Sequence, residues 1–268
     1  MQRDLAALAL VAALRLAIPA SLTSSPQSSP APIVAVWYRG VPAGTPRADD
    51  LGAIKAIGFT AIAWPRGDAR ALESAKKLAA GVGLAVVESS APAYLTAASA
   101  LAPGERVDVR TDGAMLALAW RAFAHGARTI VFDAGAPAGA GLETAGRELQ
   151  PWVSEARNVS RQITVNARLA AALKPGPGVL VWPDQSPDLD VVLLDAERSW
   201  ALVATNAGRE SRKATVRLPA GAPYAIWISW LDGGPLSMVG EAPGPRWNLD
   251  LAPGAARAYL IDKVTKSP

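Results

Sequence analysis

At Lys174-Pro-Gly-Pro-Gly178 the spacing of apolar residues changes, and no single regular architecture accommodates both sides of that break. Before it, short apolar runs alternate with segments of helical spacing. Ile33–Tyr38, Phe59–Trp64, Leu84–Glu88 and Thr129–Asp133 read as buried strands. Between them lie a helix capped by Asp49 and Asp50 and ended by Gly58, a second opened by Asp68, and a third running from Thr111 or Asp112 to Gly126. A long helix then reaches Lys174, with Trp152, Ala156, Val159, Ile163, Ala170 and Leu173 along one stripe. Strand–helix alternation at this spacing predicts a parallel sheet with crossover helices. After the break the period is two: Ala214, Val216 and Leu218 alternate with Lys213, Thr215 and Arg217, and Trp247, Leu249 and Leu251 with Asn248 and Asp250. Seven or eight short strands separated by Gly, Pro and Asp predict an antiparallel sandwich. The expected organisation is an α/β, reduced TIM-like barrel at 33–174 followed by a β-sandwich at 178–263.

Residues 1–32 belong to neither pattern. Arg3, the apolar run Leu5–Leu14 and a Pro-Ala pair at 19–20 have the form of a secretory signal, and the Ser/Pro stretch 21–32 that of a linker. The apolar run is too short for a spanning helix, and Arg15 interrupts it. The expectation is an exported protein, secreted or periplasmic and bacterial, with no stable membrane span once the signal is removed. The 268-residue chain has no cysteine, which excludes disulfide scaffolds, thiol catalysis and cysteine-ligated metals, and its one histidine, His125, excludes a multi-histidine centre. No cofactor or metal is expected. The net charge of +4 is small, and the basic stripe Arg157, Arg161 and Arg168 reads as a solvated helix face, so no nucleic-acid partner is expected.

Four passages resemble the glycoside hydrolases of the beta-galactosidase type, in which an α/β barrel precedes a β domain. Asp50–Pro65 looks like the helix and second strand of those barrels, Trp120–Asp133 like the helix and strand that close them, and Trp152–Leu169 like the helix that follows. Trp200-Ala-Leu-Val-Ala-Thr-Asn206, with Leu251-Ala-Pro-Gly254, looks like the accessory β domain. The resemblance implies an enzyme acting on O-glycosyl bonds through two carboxylates. Two departures stand against it. Eight βα units take about 200–250 residues, more than 33–174 supplies, and the Asn-Glu pair that carries the acid/base in such families has no match in the chain.

Candidate site residues follow from strand ends, where barrel chemistry gathers. Glu88 and Asp133 are the expected acid/base and nucleophile pair, in either order. Trp37, Tyr38, Arg39 and Trp64 would hold the sugar, with Asp68 a third carboxylate at the same rim. A strand-ending carboxylate is also a common helix cap, and a rim Trp a common packing residue. His125, at a helix C-terminus, reads as a cap. In the β half, Trp227, Trp230 and Trp247 are candidate sugar platforms. The loop after Asp133 lacks a phosphate-binding pattern, and no Gly-x-Ser-x-Gly elbow is present. Three functions stay open: an exported glycoside hydrolase, a non-catalytic carbohydrate- or protein-binding module derived from that fold, and a structural envelope module. An oligomer is compatible with the open edges of a partial barrel.

Overall fold

The computed structural model describes residues 31–39, 46–89, 92–96, 106–135, 139–143, 148–182, 186–196, 199–218, 227–229 and 246–262. The signal-like segment 1–30, the run 224–226 and Trp230 lie outside the described residues. An α/β region with a five-stranded parallel sheet is followed by antiparallel sheets that form a sandwich, the architecture of a partial TIM barrel joined to a β domain.

The α/β region runs β1 (Ile33–Trp37), α1 (Ala48–Ile57), β2 (Ala61–Pro65), α2 (Ala69–Gly81), β3 (Ala85–Ser89), β4 (Arg106–Arg110), α3 (Met115–Ala124), β5 (Thr129–Asp133), α4 (Pro151–Val165) and α5 (Ala167–Ala172). The expected long helix is therefore two, parted at Asn166. The sheet order is β3-β2-β1-β5-β4, every pair parallel. Read as a circle, that is chain order with a gap between β3 and β4. Residues 90–105 are too few to fill the gap, since one βαβ unit takes roughly 30 or more.

The gap is nevertheless narrow. Just after β3, Tyr94 bridges in parallel to Asp108, with Leu95 donating to the Asp108 carbonyl and the Asp108 N–H donating to Ala93 O, both at 3.0 Å. The chain thus leaves the β3 edge at Ser89 and lies against the opposite, β4, edge by Ala93. Laid flat, those positions would be about 24 Å apart at about 4.8 Å per strand. Four residues of chain reach about 14 Å at most. The sheet must curl. Its inner face is correspondingly tight, with Ala35, Ala61 and Ala63 fully buried beside Trp37 and Val131. Complete barrels fill that space with branched side chains. Here a smaller circumference is filled by alanines, Val131, one indole and the buried Asp108.

The outer face carries the helices, and its core is Val34, Val36, Tyr38, Ile62, Trp64, Ile130 and Phe132 against Leu51, Ile54, Ala75, Ala79, Val159 and Ile163. Helix α3 is the exception to one-sided burial. Eight of its ten residues, Met115, Ala117 to Trp120 and Ala122 to Ala124, are buried. A helix apolar all round needs cover on every side, and the β region supplies it.

That region contains β6 (Lys174–Pro175), β7 (Leu180–Trp182), β8 (Leu189–Asp195), β9 (Ser199–Asn206), β10 (Arg212–Arg217), β11 (Trp227–Ser229), β12 (Arg246–Leu251) and β13 (Ala256–Asp262). They form sheets of order β12-β10-β7 and β11-β13-β9-β8-β6. On β9, Leu202 and Ala204 face the sandwich core, while Ala201 and Val203 join the core around α3. Burial on both faces explains why 201–204 is continuously apolar. Beside these contacts His125 Nε2 lies 2.7 Å from Asp190 Oδ2, and Arg121 Nη1 donates to Pro187 O at 3.3 Å. The His125 backbone closes α3 as expected, but its side chain ties that helix to β8.

The tightest seam is at Gly254, whose φ is +70°. Its carbonyl accepts from the Ala117 N–H at 3.2 Å, and a Cβ there would lie 1.8 Å from Gly113 O. A methyl group meets both a strained backbone and another backbone atom. Gly254→Ala is expected to cost about 2–4 kcal/mol, read as a lower urea midpoint. A change below about 0.5 kcal/mol, the size of an ordinary surface substitution, would contradict the seam.

Candidate binding site at the mouth of the curled sheet

Strand parity decides which side chains reach the interior. Parallel partners share a face, and the register Ala35–Ala61–Ala85 with Ala35–Val131–Asp108 defines the inner one. On β4 that face is Arg106, Asp108 and Arg110; on β5 it ends at Asp133, opposite Arg110. Two carboxylates and, with Arg39 just after β1, three guanidiniums therefore belong to a face whose core is Ala35, Trp37, Ala61, Ala63 and Val131.

Both aspartates are almost completely buried, Asp108 at 0% and Asp133 at 4% exposure, and each is held by three donors. Asp108 Oδ1 accepts from Trp37 Nε1 and Arg106 Nη2, both at 2.6 Å, and Oδ2 from the Ala93 N–H at 2.6 Å. Asp133 Oδ2 accepts from Arg39 Nη2 at 2.6 Å and from the Tyr94 hydroxyl, and Oδ1 from the Gly135 N–H at 2.8 Å. Buried charge is tolerated when paired and hydrogen-bonded in this way. Trp37 has the Arg106 and Arg39 guanidiniums 5.0 and 5.7 Å from its ring centre, and Arg110 lies 4.4 Å from the centre of the Tyr94 ring. Backbone bonds in both directions between Arg39 and Gly139 fasten the loop after β1 to the loop after β5. Burial, and the Asp133 carboxylate accepting its proton, raise the Tyr94 phenol above its ordinary range, against the pull of Arg39 and Arg110.

Of the expected site residues, Trp37, Arg39 and Asp133 come together at this mouth. The others do not. Glu88 pairs in register with Trp64, on the helix face, and its carboxylate meets Lys76 of α2 at 3.1 Å. It and Asp133 lie on opposite sides of the sheet, so the expected acid/base and nucleophile pair is not assembled. Trp64 and Tyr38 are buried against the helices, ring on ring at 5.7 Å and 13°, and neither presents a face to a sugar. Asp68 is the N-cap of α2, accepting from the Arg70 and Ala71 N–H groups. The helix-cap and packing roles hold for these positions.

In the β half, Trp247 turns inward, edge-on to Tyr259 at 4.6 Å. Among the described residues, Trp182 on the outer strand β7 is an exposed indole, 74% accessible. Among the described residues no group of three or more His, Cys, Asp or Glu could hold a metal ion, and no helix is long and apolar enough to cross a membrane.

Asp108, Arg106, Arg110 and Tyr94 had no place in the sequence reading. For the β4 residues the signal was present: Arg106-Val-Asp-Val-Arg110 alternates with period two, as a half-buried strand does. Here the polar set faces inward and the valines pack beneath α3.

No protein-family model matches this chain, and no curated protein does. Its fold is similar to that of a GH30 endoxylanase from Clostridium papyrosolvens C71, at 8% identity over 88% of this chain and 98% of the other, with a TM-score of 0.42. It is also similar to a glycoside hydrolase family 30 subfamily 8 xylanase from Clostridium acetobutylicum, at 12% identity over 80% and 59%, TM-score 0.34. A third likeness is to an alpha-amylase from Geobacillus thermoleovorans complexed with acarbose, at 12% over 77% and 40%, TM-score 0.39. The α/β region followed by an antiparallel β domain resembles several glycoside-hydrolase folds.

Two outcomes test the geometry. Asp108→Ala strips acceptors from Trp37, Arg106 and Ala93 together and is expected to cost about 3–5 kcal/mol, as breaking a buried ion pair does, read by urea unfolding. Tyr38, whose hydroxyl donates to Asp50 at 2.7 Å, is pushed up to about 12 by burial and by Asp50, against the Arg47 N–H donor. The folded state holds that proton more tightly than the unfolded chain. Its stabilisation is therefore complete below pH 10 and lost as pH rises toward 12. Phenolate absorbance at 295 nm should show a late component that Tyr38→Phe removes; an ordinary titration near pH 10 for every tyrosine would contradict it.

Proposed function

We propose that this chain binds carbohydrate at the mouth of its curled sheet and does not hydrolyse it. The observation that carries the reading is the occupancy of the inner carboxylates. Two-carboxylate hydrolysis needs both groups facing one space, about 5 Å apart for retention or 6.5–9.5 Å for inversion, with one able to give up a proton. Asp133 and Asp108 each spend their lone pairs on three donors, including a guanidinium. Glu88 is on the other face.

What supports a sugar as ligand is the composition of the mouth: a half-buried phenol, guanidiniums held over aromatic rings, and backbone of glycine-bearing loops, all polar, planar or close-approaching groups. The position at the C-terminal ends of parallel strands is where such folds place ligands. Export through residues 1–32, the division near 174–178 and a bacterial envelope or extracellular setting form part of the same proposal.

Retention on a panel of immobilised polysaccharides, run beside a panel of aryl glycosides, tests it. The expected result for the wild type is retention with no aglycone released. Glycoside cleavage by the wild type that Asp133→Asn abolishes would overturn it.

A further inference from the structure

The charges at this mouth do not balance, and the imbalance names a ligand class. Arg39 is matched by Asp133 and Arg106 by Asp108. Arg110 is exposed, lies over the Tyr94 ring and has no carboxylate partner among the described residues. It cannot borrow Asp133, its cross-strand neighbour, whose oxygens already serve Arg39, Tyr94 and Gly135. The Nε atoms of Arg39 and Arg106 are buried with no acceptor among the described residues. Asp112, two residues beyond Arg110, accepts at Oδ1 from the Ala114 N–H at 3.1 Å and makes no ion pair with Arg110 among the described residues.

We propose that the saccharide bound here is acidic, with a uronate-type carboxylate accepted by the Arg110 guanidinium. This deepens the carbohydrate reading and rests on it. Stacking on Tyr94 orients the Arg110 fork before any ligand arrives, which lowers the entropy lost on binding. A guanidinium takes a carboxylate through two parallel N–H bonds. Tyr94 is itself fixed by its hydroxyl bond to Asp133, so the buried aspartate acts as the anchor of the reader and not as a reactant.

The test compares polygalacturonate with its fully methyl-esterified form, which keeps the backbone and removes the charge, and adds neutral galactan and poly-glutamate. Calorimetry on the full chain is expected to show binding of polygalacturonate that weakens at least tenfold on esterification. It should weaken as much in Arg110→Gln, less in Arg110→Lys, and with rising salt. Arg110→Gln should melt with the wild type, because its side chain is exposed; a variant that unfolds would overturn that placement. Equal binding of acid, ester and galactan would overturn the acidic proposal and leave the carbohydrate reading standing. Binding of poly-glutamate as tight as polygalacturonate would overturn the saccharide part. Binding of none of the sugars would overturn both.

Discussion

The short passage from Ser89 to Ala93 constrains everything else in the α/β region. It brings the two edges of a five-stranded parallel sheet toward each other, and the sheet has no flat alternative. Tight curvature then dictates small side chains on the inner face. It also lets Tyr94 reach Asp133 across the mouth and lets the Ala93 N–H reach Asp108. A partial barrel ordinarily exposes two edges. Here the β4 edge is met by 93–95 and the β3 edge keeps the Glu88–Lys76 pair on its helix side.

Burying two aspartates is costly unless the interior offers donors, and the curled sheet offers six to the pair. On the proposed reading, those six donors set this mouth apart from a hydrolytic one. In an acid/base pair one carboxyl must hold a proton at working pH, which burial without donors or a like-charged neighbour achieves. Asp108 and Asp133 have different surroundings, a guanidinium and a backbone N–H each, which hold both carboxylates in place. The second structural demand, cover for the all-apolar α3, is met by β9 and its neighbours, so the β region completes the core of the α/β region.

Much of the framework was legible in the sequence because its signals are local. Gly58 and Gly126 ended helices at positive φ, Asp68 capped α2, and the apolar runs at Ile33 and Thr129 became the central strands. The site was legible only in part. Strand β3 has Ala85 and Glu88 exposed and only Ser89 buried, and Val86-Val-Glu-Ser-Ser90 has no alternation to say whether Glu88 or its neighbours face inward. The same ambiguity put Tyr38 and Trp64 at the rim when they belong to the helix layer. Strand β4 was overlooked for the converse reason: its charges suggested solvent, whereas paired charges line the interior. Tyr94 carries no local signal, since its role depends on a strand reached only through the curl.

Hydrogen exchange at three donors tests the central claim, that the mouth is a closed lattice around buried carboxylates. The Ala93 and Gly135 backbone amides and the Trp37 indole N–H should exchange as slowly as the amides of β1 and β5, through near-global opening. Exchange at the rate of an exposed loop, for Ala93 and Gly135 in particular, would contradict it.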